Sequence, residues 1–275
     1  MKLSYVLANL KRVERNRDWL AADIPASEKA RYYPAMARSY YGLSRGESSV
    51  KYLGAPFVFD NPATPLNLQT YPYELTRKIR TVVGDPATIL DIGGNIGQFT
   101  RTAKYLWPRA EVDVFEPNPA AFELMEQNTR HLPGVRRHHF AIGEAGTAEF
   151  YFEPGRSGTG SFLRENVGAL DAVEQISVTV TDAPASVTGR DEYDLVKIDV
   201  EGHEMDVIER LAGVRCRCLY LEGSLGRSKP YSHDELFARI ADSFGSFEIA
   251  YFSEVEPSML TFEATLRFDD RTAQD

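Results

Sequence analysis

The sequence predicts an α/β fold: a doubly wound, mostly parallel seven-stranded sheet with an antiparallel edge strand, plus an N-terminal helical extension. From residue 87 onwards, short apolar runs typical of strands alternate with runs of helical periodicity. Alternating strands and helices form a parallel sheet that is covered on both faces. The last two apolar runs have no helix between them, which indicates a hairpin at one edge.

Size and composition agree with this fold. The chain has 275 residues, of which 43% are hydrophobic and 26% charged, so a packed core can form without disulfides or metals. Cys216 and Cys218 lie one residue apart in an apolar run and are predicted to be buried thiols. The formal charge of −9 disfavours a nucleic-acid partner, because the field of the whole protein repels phosphate.

The opening residues predict neither a signal peptide nor a membrane span. The run MKLSYVLANL is too short and too polar for a signal-peptide core. No apolar run approaches the ~20 residues that a helix needs to cross a bilayer. We therefore expect a cytoplasmic protein.

Residues 1–70 are predicted to form a helical extension ahead of a main domain, residues 71–275. Residues 3–13 have apolar side chains at helical spacing, and a second helical stretch, 27–43, carries four tyrosines. Residues 55–72 are rich in proline and asparagine and are predicted to be an extended connection. The first helix could cover the active site or serve a homodimer.

The elements of the main domain follow from their patterns. A helix is predicted over 73–83, followed by strands at 87–93, 111–117, 135–142, 146–152, 175–181, 193–201, 216–223, 247–252 and 259–268. Helices are predicted at 97–107, 120–132, 204–212 and 232–244. The glycine- and serine-rich segment GRSGTGS, 155–161, is predicted to be a loop.

A cofactor site is predicted where the first strand of the main domain turns into a helix. Gly93 and Gly97 in ILDIGGNIGQF allow the backbone to approach a ligand. Glu116 ends the next strand, where an acid can accept both hydroxyls of a ribose. Asp91 precedes the glycines, and a carboxylate there favours a cationic sulfonium over a diphosphate. The dinucleotide spacing G-x-G-x-x-G is also absent, so the sequence favours S-adenosylmethionine (SAM) over NAD.

Four motifs resemble those of the FkbM family of SAM-dependent methyltransferases in order and spacing. They are ILDIGGNIGQF, VFEPNPAAFELMEQN, FAIGEAGTAEF and VKIDVEGHEMDVIERL, and they cover roughly residues 87–223. The resemblance implies a Rossmann-like methyltransferase fold, SAM as cofactor, and O-methylation of a sugar, glycan or secondary metabolite. Gly94 departs from the family pattern, which more often has alanine there.

The resemblance also implies which residues bind the cofactor. They are Asp91, Gly93, Gly94, Asn95, Gly97, Glu116, Pro117, Asn118, Ala141, Ile142 and Asp199. The glycine turn would lie at the methionine end, Glu116 at the ribose, and the Ala141–Ile142 pair at the adenine.

The run VKIDVEGHE predicts the catalytic rim. Asp199 and Glu201 lie at the carboxyl end of a strand, where open α/β sheets bind ligands, and Lys197 lies deeper as a structural ion-pair partner. His203 is the first candidate for the general base, because a histidine pKa of ~6.5 suits proton transfer near neutrality. Asp199 and Glu201 are the alternatives.

Acceptor binding is assigned to His203 and to Glu222 at the end of the next strand. Asp199, Glu201 and Glu222 have oxygens that could bind a metal, but their spacing does not support a site and no metal is predicted. Two other functions stay open: a NAD-type oxidoreductase on a similar sheet, and a binding protein that kept this fold without catalysis.

Overall fold

The structure is a computed structural model that describes residues 26–30, 34, 48–61, 64, 68, 72, 75–167, 173–224, 231–256 and 261–268. The helix predicted over 3–13 and the four tyrosines of the 27–43 stretch lie outside these residues. The division into a helical extension and a main domain at residue 70 therefore stays a prediction.

The described strands are, in chain order, β1 (Ser49–Tyr52), β2 (Ala55–Val58), β3 (Thr88–Ile92), β4 (Glu111–Phe115), β5 (Val135–His138), β6 (Ala141–Ile142), β7 (Gly146–Glu153), β8 (Arg156–Ser161), β9 (Glu174–Thr181), β10 (Glu192–Asp199), β11 (Arg215–Ser224), β12 (Phe247–Glu256) and β13 (Thr261–Phe268). The described α-helices are α1 (Ala26–Lys29), α2 (Thr81–Val83), α3 (Gln98–Leu106), α4 (Pro119–Thr129), α5 (Pro184–Thr188), α6 (Glu204–Arg210) and α7 (His233–Phe244). A π-helical turn, Thr76–Arg80, leads into α2, and a 3₁₀ turn spans Arg164–Asn166.

The main sheet has seven strands in the order β12-β13-β11-β10-β3-β4-β5. The five strands from β11 to β5 are parallel to one another, whereas β13 runs antiparallel to both of its neighbours. This confirms the predicted mostly parallel seven-stranded sheet with an antiparallel hairpin at one edge.

A second sheet of four strands, in the order β6-β9-β7-β8, lies beside the first. The segment 135–142, predicted as one strand, is divided: Val135–His138 joins the main sheet and Ala141–Ile142 pairs with β9. The predicted loop GRSGTGS is wrong, because most of it forms β8 against β7. Gly160 allows this pairing, since a Cβ there would lie 2.6 Å from the ring of Phe150.

The core occupies both faces of the main sheet. Successive residues of a strand point to opposite faces, so a strand that is buried on both sides is apolar throughout. Leu90 and Ile92 pack on the face covered by α6 and α7, whereas Ile89 packs on the face covered by α2 and α3. The apolar runs that the sequence placed as strands are therefore the centre of this core.

The N-terminal hairpin of β1 and β2 packs against α4 and the turn after β3, within a cluster of Tyr52, Phe57, Phe59, Leu68, Ile96 and Ala121. Part of the segment predicted as an extended connection, 55–72, thus forms a strand. Among the described helices, none is long and apolar enough to span a membrane.

Candidate active site

A pocket opens at the carboxyl ends of β3, β4 and β10. Its wall includes nine residues that the sequence singled out: Gly93, Asn95, Glu116, Pro117, Ala141, Ile142, Asp199, Glu201 and His203. It lies outside the carboxyl ends of parallel strands, which is where open α/β sheets bind their ligands.

The glycine turn after β3 forms one end of the pocket. The backbone N–H groups of Gly93 and Gly94 both donate to the Phe115 carbonyl, at 3.0 and 2.9 Å. Gly93 has φ +81°, and a Cβ there would lie 1.9 Å from the Asp199 carbonyl oxygen. Only glycine fits this position, because both the conformation and the space exclude a side chain.

Gly94 and Gly97 serve packing behind the pocket. A Cβ on Gly94 would lie 2.2 Å from Val114 Cγ2 and 2.9 Å from Met125 Sδ. A Cβ on Gly97 would lie 3.0 Å from Thr129 Cγ2. These two glycines let α4 pack closely against the turn.

Glu116 is buried at the end of β4 and lines the pocket. Its Oε2 accepts the Asn95 N–H at 2.8 Å, and its Oε1 accepts the Asn118 N–H at 2.8 Å. Burial raises its pKa to about 7, against the lowering effect of these two N–H groups. Each carboxylate oxygen has a second lone pair, so the group can still accept hydroxyl donors from a ligand.

Asp91 is fully buried and is not among the described residues that line the pocket. Its Oδ2 accepts the Thr100 hydroxyl at 2.6 Å, and its Oδ1 lies 3.3 Å from Lys197 Nζ. The expectation that this carboxylate faces the crevice is therefore wrong: it is paired with Lys197 instead. The carboxylate that precedes the glycines in the sequence therefore belongs to an ion pair under the turn.

Lys197 joins the glycine turn to the rim, as predicted for a structural ion pair. Its Nζ donates to the Gly93 carbonyl at 2.6 Å and lies 3.3 Å from Asp199 Oδ2 as well as from Asp91 Oδ1. Burial opposes its charge, but the Asp199 and Asp91 carboxylates outweigh that effect and raise its pKa. Two carboxylates share one ammonium, which leaves an excess negative charge beside the pocket.

Three carboxylates stand side by side at the carboxyl edge of the sheet. Asp199 is in register with Glu222, and Glu222 with Glu263. Lys197 forms an ion pair with Asp199, at one end of this row. Lys78 Nζ lies 2.5 Å from Glu263 Oε2, at the other end. Burial and the flanking carboxylates hold the pKa of Glu222 well above its ordinary value. Glu222 is not among the described residues that line the pocket. It lies on β11, the strand next to that of Asp199.

Glu201 lies on the pocket wall in a conformation that is unusual for its type. Its φ is +54°, a left-handed region that a non-glycine side chain rarely adopts. The Ser161 hydroxyl and the Asn166 amide both donate to its carbonyl, at 2.7 and 3.2 Å. The end of β8 and the 3₁₀ turn therefore hold this strained residue in place.

His203 is the N-cap residue of α6, without a side-chain capping hydrogen bond, and lines the pocket beside Gly143. Its Nε2 lies 3.0 Å from the place where a Cβ on Gly143 would be, and its ring centroid is 4.6 Å from that of Phe162. Its Nδ1 is 3.1 Å from Asp206 Oδ2. Burial lowers its pKa, against the opposing effect of Asp206, which favours the neutral imidazole.

The sequence missed most of the aromatic wall. The pocket is also lined by Ile92, Phe115, Phe140, Phe150, Gly160, Phe162, Val200 and Val207. Phe140 directly precedes the motif residue Ala141 and could have been included on that ground. Phe150 and Phe162 belong to the region around the second sheet, and no local pattern signals that it folds over the pocket. Asn118, although predicted, is buried behind the pocket as the N-cap of α4.

Within the described ranges, no three histidine, cysteine or acidic side chains are grouped so that they could hold a metal ion. Cys218 is buried and Cys216 half-buried, both as free thiols.

Comparison with known proteins assigns residues 91–246 to the "Methyltransferase FkbM domain". "Methyltransferase 1" of Beauveria bassiana is 30% identical over 177 residues, which are 56% of this chain and 71% of that protein. "2-O-methyltransferase NoeI" of Sinorhizobium fredii is 27% identical over 206 residues, which are 66% of this chain and 80% of that protein. The crystal structure of Aeropyrum pernix fibrillarin with natively bound S-adenosyl-L-methionine aligns over 80% of this chain and 82% of that chain, with 13% identity and a TM-score of 0.46.

Proposed function

Since the chain belongs to the FkbM methyltransferase family, we propose that it transfers the methyl group of SAM to a hydroxyl of a sugar, glycan or secondary metabolite. The observation that carries this proposal is Glu116, which faces the pocket beside the glycine turn with hydrogen-bonding capacity to spare. The hydroxyl acceptor is supported by a relative of this chain, NoeI, which is a 2-O-methyltransferase.

The residues present fit SAM. Glu116 offers lone pairs for two ribose hydroxyls, and the apolar wall beyond it, including Ala141 and Ile142, offers a surface for a purine. The excess negative charge of Asp91 and Asp199 over Lys197 favours a cation at the opposite end. SAM bound here would supply an activated methyl group on a positively charged sulfur.

The chain's own residues would then position the acceptor and remove its proton. Most of the acceleration of an in-line displacement comes from holding the two reacting atoms close and aligned. A positioned base adds typically ~10²–10⁴-fold. His203 is the first candidate base, because it lines the pocket and its burial favours the neutral form; Asp199 and Glu201 are the alternatives on the same wall.

Glu222 and His203 are proposed to contact the acceptor. Glu222 lies next to Asp199 in the sheet, and a carboxyl group with a raised pKa can donate a hydrogen bond to an acceptor oxygen. Asp91 was predicted to contact the cofactor directly. We propose that it acts only indirectly, through Lys197, whose ammonium donates a hydrogen bond to the Gly93 carbonyl.

Calorimetric titration of the purified chain with SAM, S-adenosylhomocysteine (SAH) and NAD tests the proposal. We expect both adenosyl compounds to bind and NAD not to bind. Binding of NAD alone would instead support the oxidoreductase. Incubation with methyl-labelled SAM and a panel of glycans then tests the reaction: label should appear on a hydroxyl oxygen. Tight SAM binding with no transfer to any acceptor would favour a binding protein without catalysis.

A further inference from the structure

The hairpin formed by β1 and β2 is bound to the glycine turn by polar contacts as well as by apolar packing. This hairpin precedes the main sheet by about thirty residues in sequence and adds no strand to it. A segment that merely covers the surface would need no buried hydrogen bonds to the turn beneath it. The structure nevertheless places a fully buried amide side chain between the two.

That side chain is Asn128 on α4, which is 1% exposed. Its Oδ1 accepts the Val58 N–H at 2.7 Å, and its Nδ2 donates to the Val58 carbonyl at 2.9 Å. The side-chain amide thus pairs with β2 as the backbone of a neighbouring strand would. The same Nδ2 also donates to the Ile96 carbonyl at 2.8 Å, inside the glycine turn.

Ile96 is the point where the turn is most constrained. It lies between Asn95 and Gly97, whose φ angles are +48° and +85°. The N–H of Asn95, the residue before Ile96, donates to Glu116 Oε2, so the carbonyl that Asn128 holds lies close in sequence to the donor that orients Glu116. The Ile96 side chain packs in the cluster that holds Tyr52 and Phe57 of the hairpin.

A second set of hydrogen bonds holds the hairpin against α3 without involving the glycine turn. Arg101 on α3 donates to the Tyr52 carbonyl at 3.0 Å and to the Asn128 carbonyl at 2.9 Å. The Tyr52 hydroxyl lies 2.6 Å from Thr102 Oγ1. Asn128 thus connects the hairpin to the turn, whereas Arg101 and Thr102 connect it to α3.

We propose that Asn128 is a positioning residue of the cofactor site, through which the N-terminal hairpin holds the glycine turn and Glu116 in their binding geometry. Asn128 acts through the Ile96 carbonyl and contacts no ligand itself. The inference rests on the proposed SAM site, and it makes residues 48–59 part of that site.

The test compares Asn128→Ala with Thr102→Val. Both lose a polar contact of the hairpin, but only the first releases the Ile96 carbonyl. We expect Asn128→Ala to raise the SAH dissociation constant at least fivefold, and to raise the KM for SAM more than it lowers kcat. Thr102→Val should stay within twofold of wild type. Hydrogen exchange of the amides of residues 95–97, measured without ligand, should accelerate in Asn128→Ala alone.

Val58→Pro is the second variant, and it keeps the proposal testable where Asn128→Ala does not fold. It removes the N–H that Oδ1 accepts and leaves Asn128 in place, and we expect a smaller loss of SAH affinity in the same direction. The proposal is overturned if the Asn128 and Val58 variants keep wild-type SAH affinity and wild-type hydrogen exchange of residues 95–97. It is also overturned if Thr102→Val loses as much SAH affinity as they do. Failure of wild type to bind SAH overturns the proposed function, whereas the exchange measurement still reports on the turn.

Discussion

Lys197 shows how one buried residue sets the charge of the pocket. A single ammonium contacts the carboxylates of Asp91 and Asp199 and the carbonyl of Gly93. Breaking a buried ion pair by removing one partner typically costs ~3–5 kcal/mol, because an unpaired charge is left behind. We therefore expect Lys197 to be needed for the fold of the turn. Because one ammonium pairs with two carboxylates, one negative charge is left over and can attract a cationic ligand.

Glu116 gives cofactor binding a pH dependence. Its pKa of about 7 means that the carboxylate protonates as the pH falls from 8 to 6, and a protonated carboxyl loses acceptor capacity. We expect the dissociation constant of SAH to rise several-fold over this interval, as measured by calorimetry. Glu116→Ala should bind SAH ~1–3 kcal/mol more weakly than wild type at pH 8 and show little pH dependence. An unchanged dissociation constant in that variant removes Glu116 from the site.

Glu222 gives stability a pH dependence of its own. An acid whose pKa is raised on folding is stabilised in its protonated form, so stability falls as the pH rises above its ordinary pKa. Each unit of raised pKa corresponds to about 1.4 kcal/mol. Denaturant titration should show that Glu222→Gln is more stable than wild type at pH 8 and nearly equal to it at pH 4.5. A variant that is less stable than wild type at pH 8 contradicts this assignment.

His203 can be tested by separating binding from turnover. If it is the base, His203→Ala keeps the wild-type dissociation constant for SAH and lowers kcat at least tenfold. Asp206→Asn is the matched control, because it removes the negative charge beside Nδ1 and leaves the imidazole. The opposite pattern, weaker SAH binding with wild-type kcat at saturating SAM, would assign His203 to the cofactor and the base role to a carboxylate.

At the scale of elements, the glycine turn depends on its fit against β4 and α4. The sequence predicts the turn because glycines between a strand and a helix are a local signal. It does not show that Gly94 faces Val114 and Met125, since those contacts come from elements further along the chain. The resembling family more often has alanine at this position, but in this chain the packing leaves no room for a methyl group.

Gly94→Ala should therefore destabilise this chain by ~1–3 kcal/mol, the usual cost of an added methylene in a packed core. Val114→Ala alone should also destabilise, because it leaves a cavity. The double variant should recover part of the loss, since the new methyl occupies the space that Val114 vacates. Strictly additive losses in denaturant titrations would show that the two positions do not share this space.

The second sheet is only partly predictable from the sequence. Strands β7 and β9 were predicted from their own apolar alternation, but β8 contains two glycines, two serines, an arginine and a threonine and has no such pattern. It is a strand because β7 offers it a hydrogen-bonding edge. For the same reason, the aromatic wall that Phe150 and Phe162 contribute to the pocket was not foreseen.

At the scale of the whole molecule, strand order explains which residues meet. The carboxyl ends of β3, β4 and β10 converge, so Gly93, Glu116 and Asp199, far apart in sequence, share one pocket. Periodicity predicts the strands, and the rule that ligands bind outside their carboxyl ends predicts the rim. Burial of Asp91 was not predictable, because it depends on Lys197 reaching across from the neighbouring strand.

The central claim is that this crevice takes an adenosyl sulfonium, with its ribose on Glu116 and its charged end toward Asp199. A crystal structure of the chain with SAH tests it most directly. The account predicts ribose hydroxyl oxygens within hydrogen-bonding distance of Glu116 Oε1 and Oε2, and the amino-acid portion beside Gly93. A ribose turned away from Glu116, or a nucleotide that binds instead with its phosphates across residues 93–97, would contradict the account.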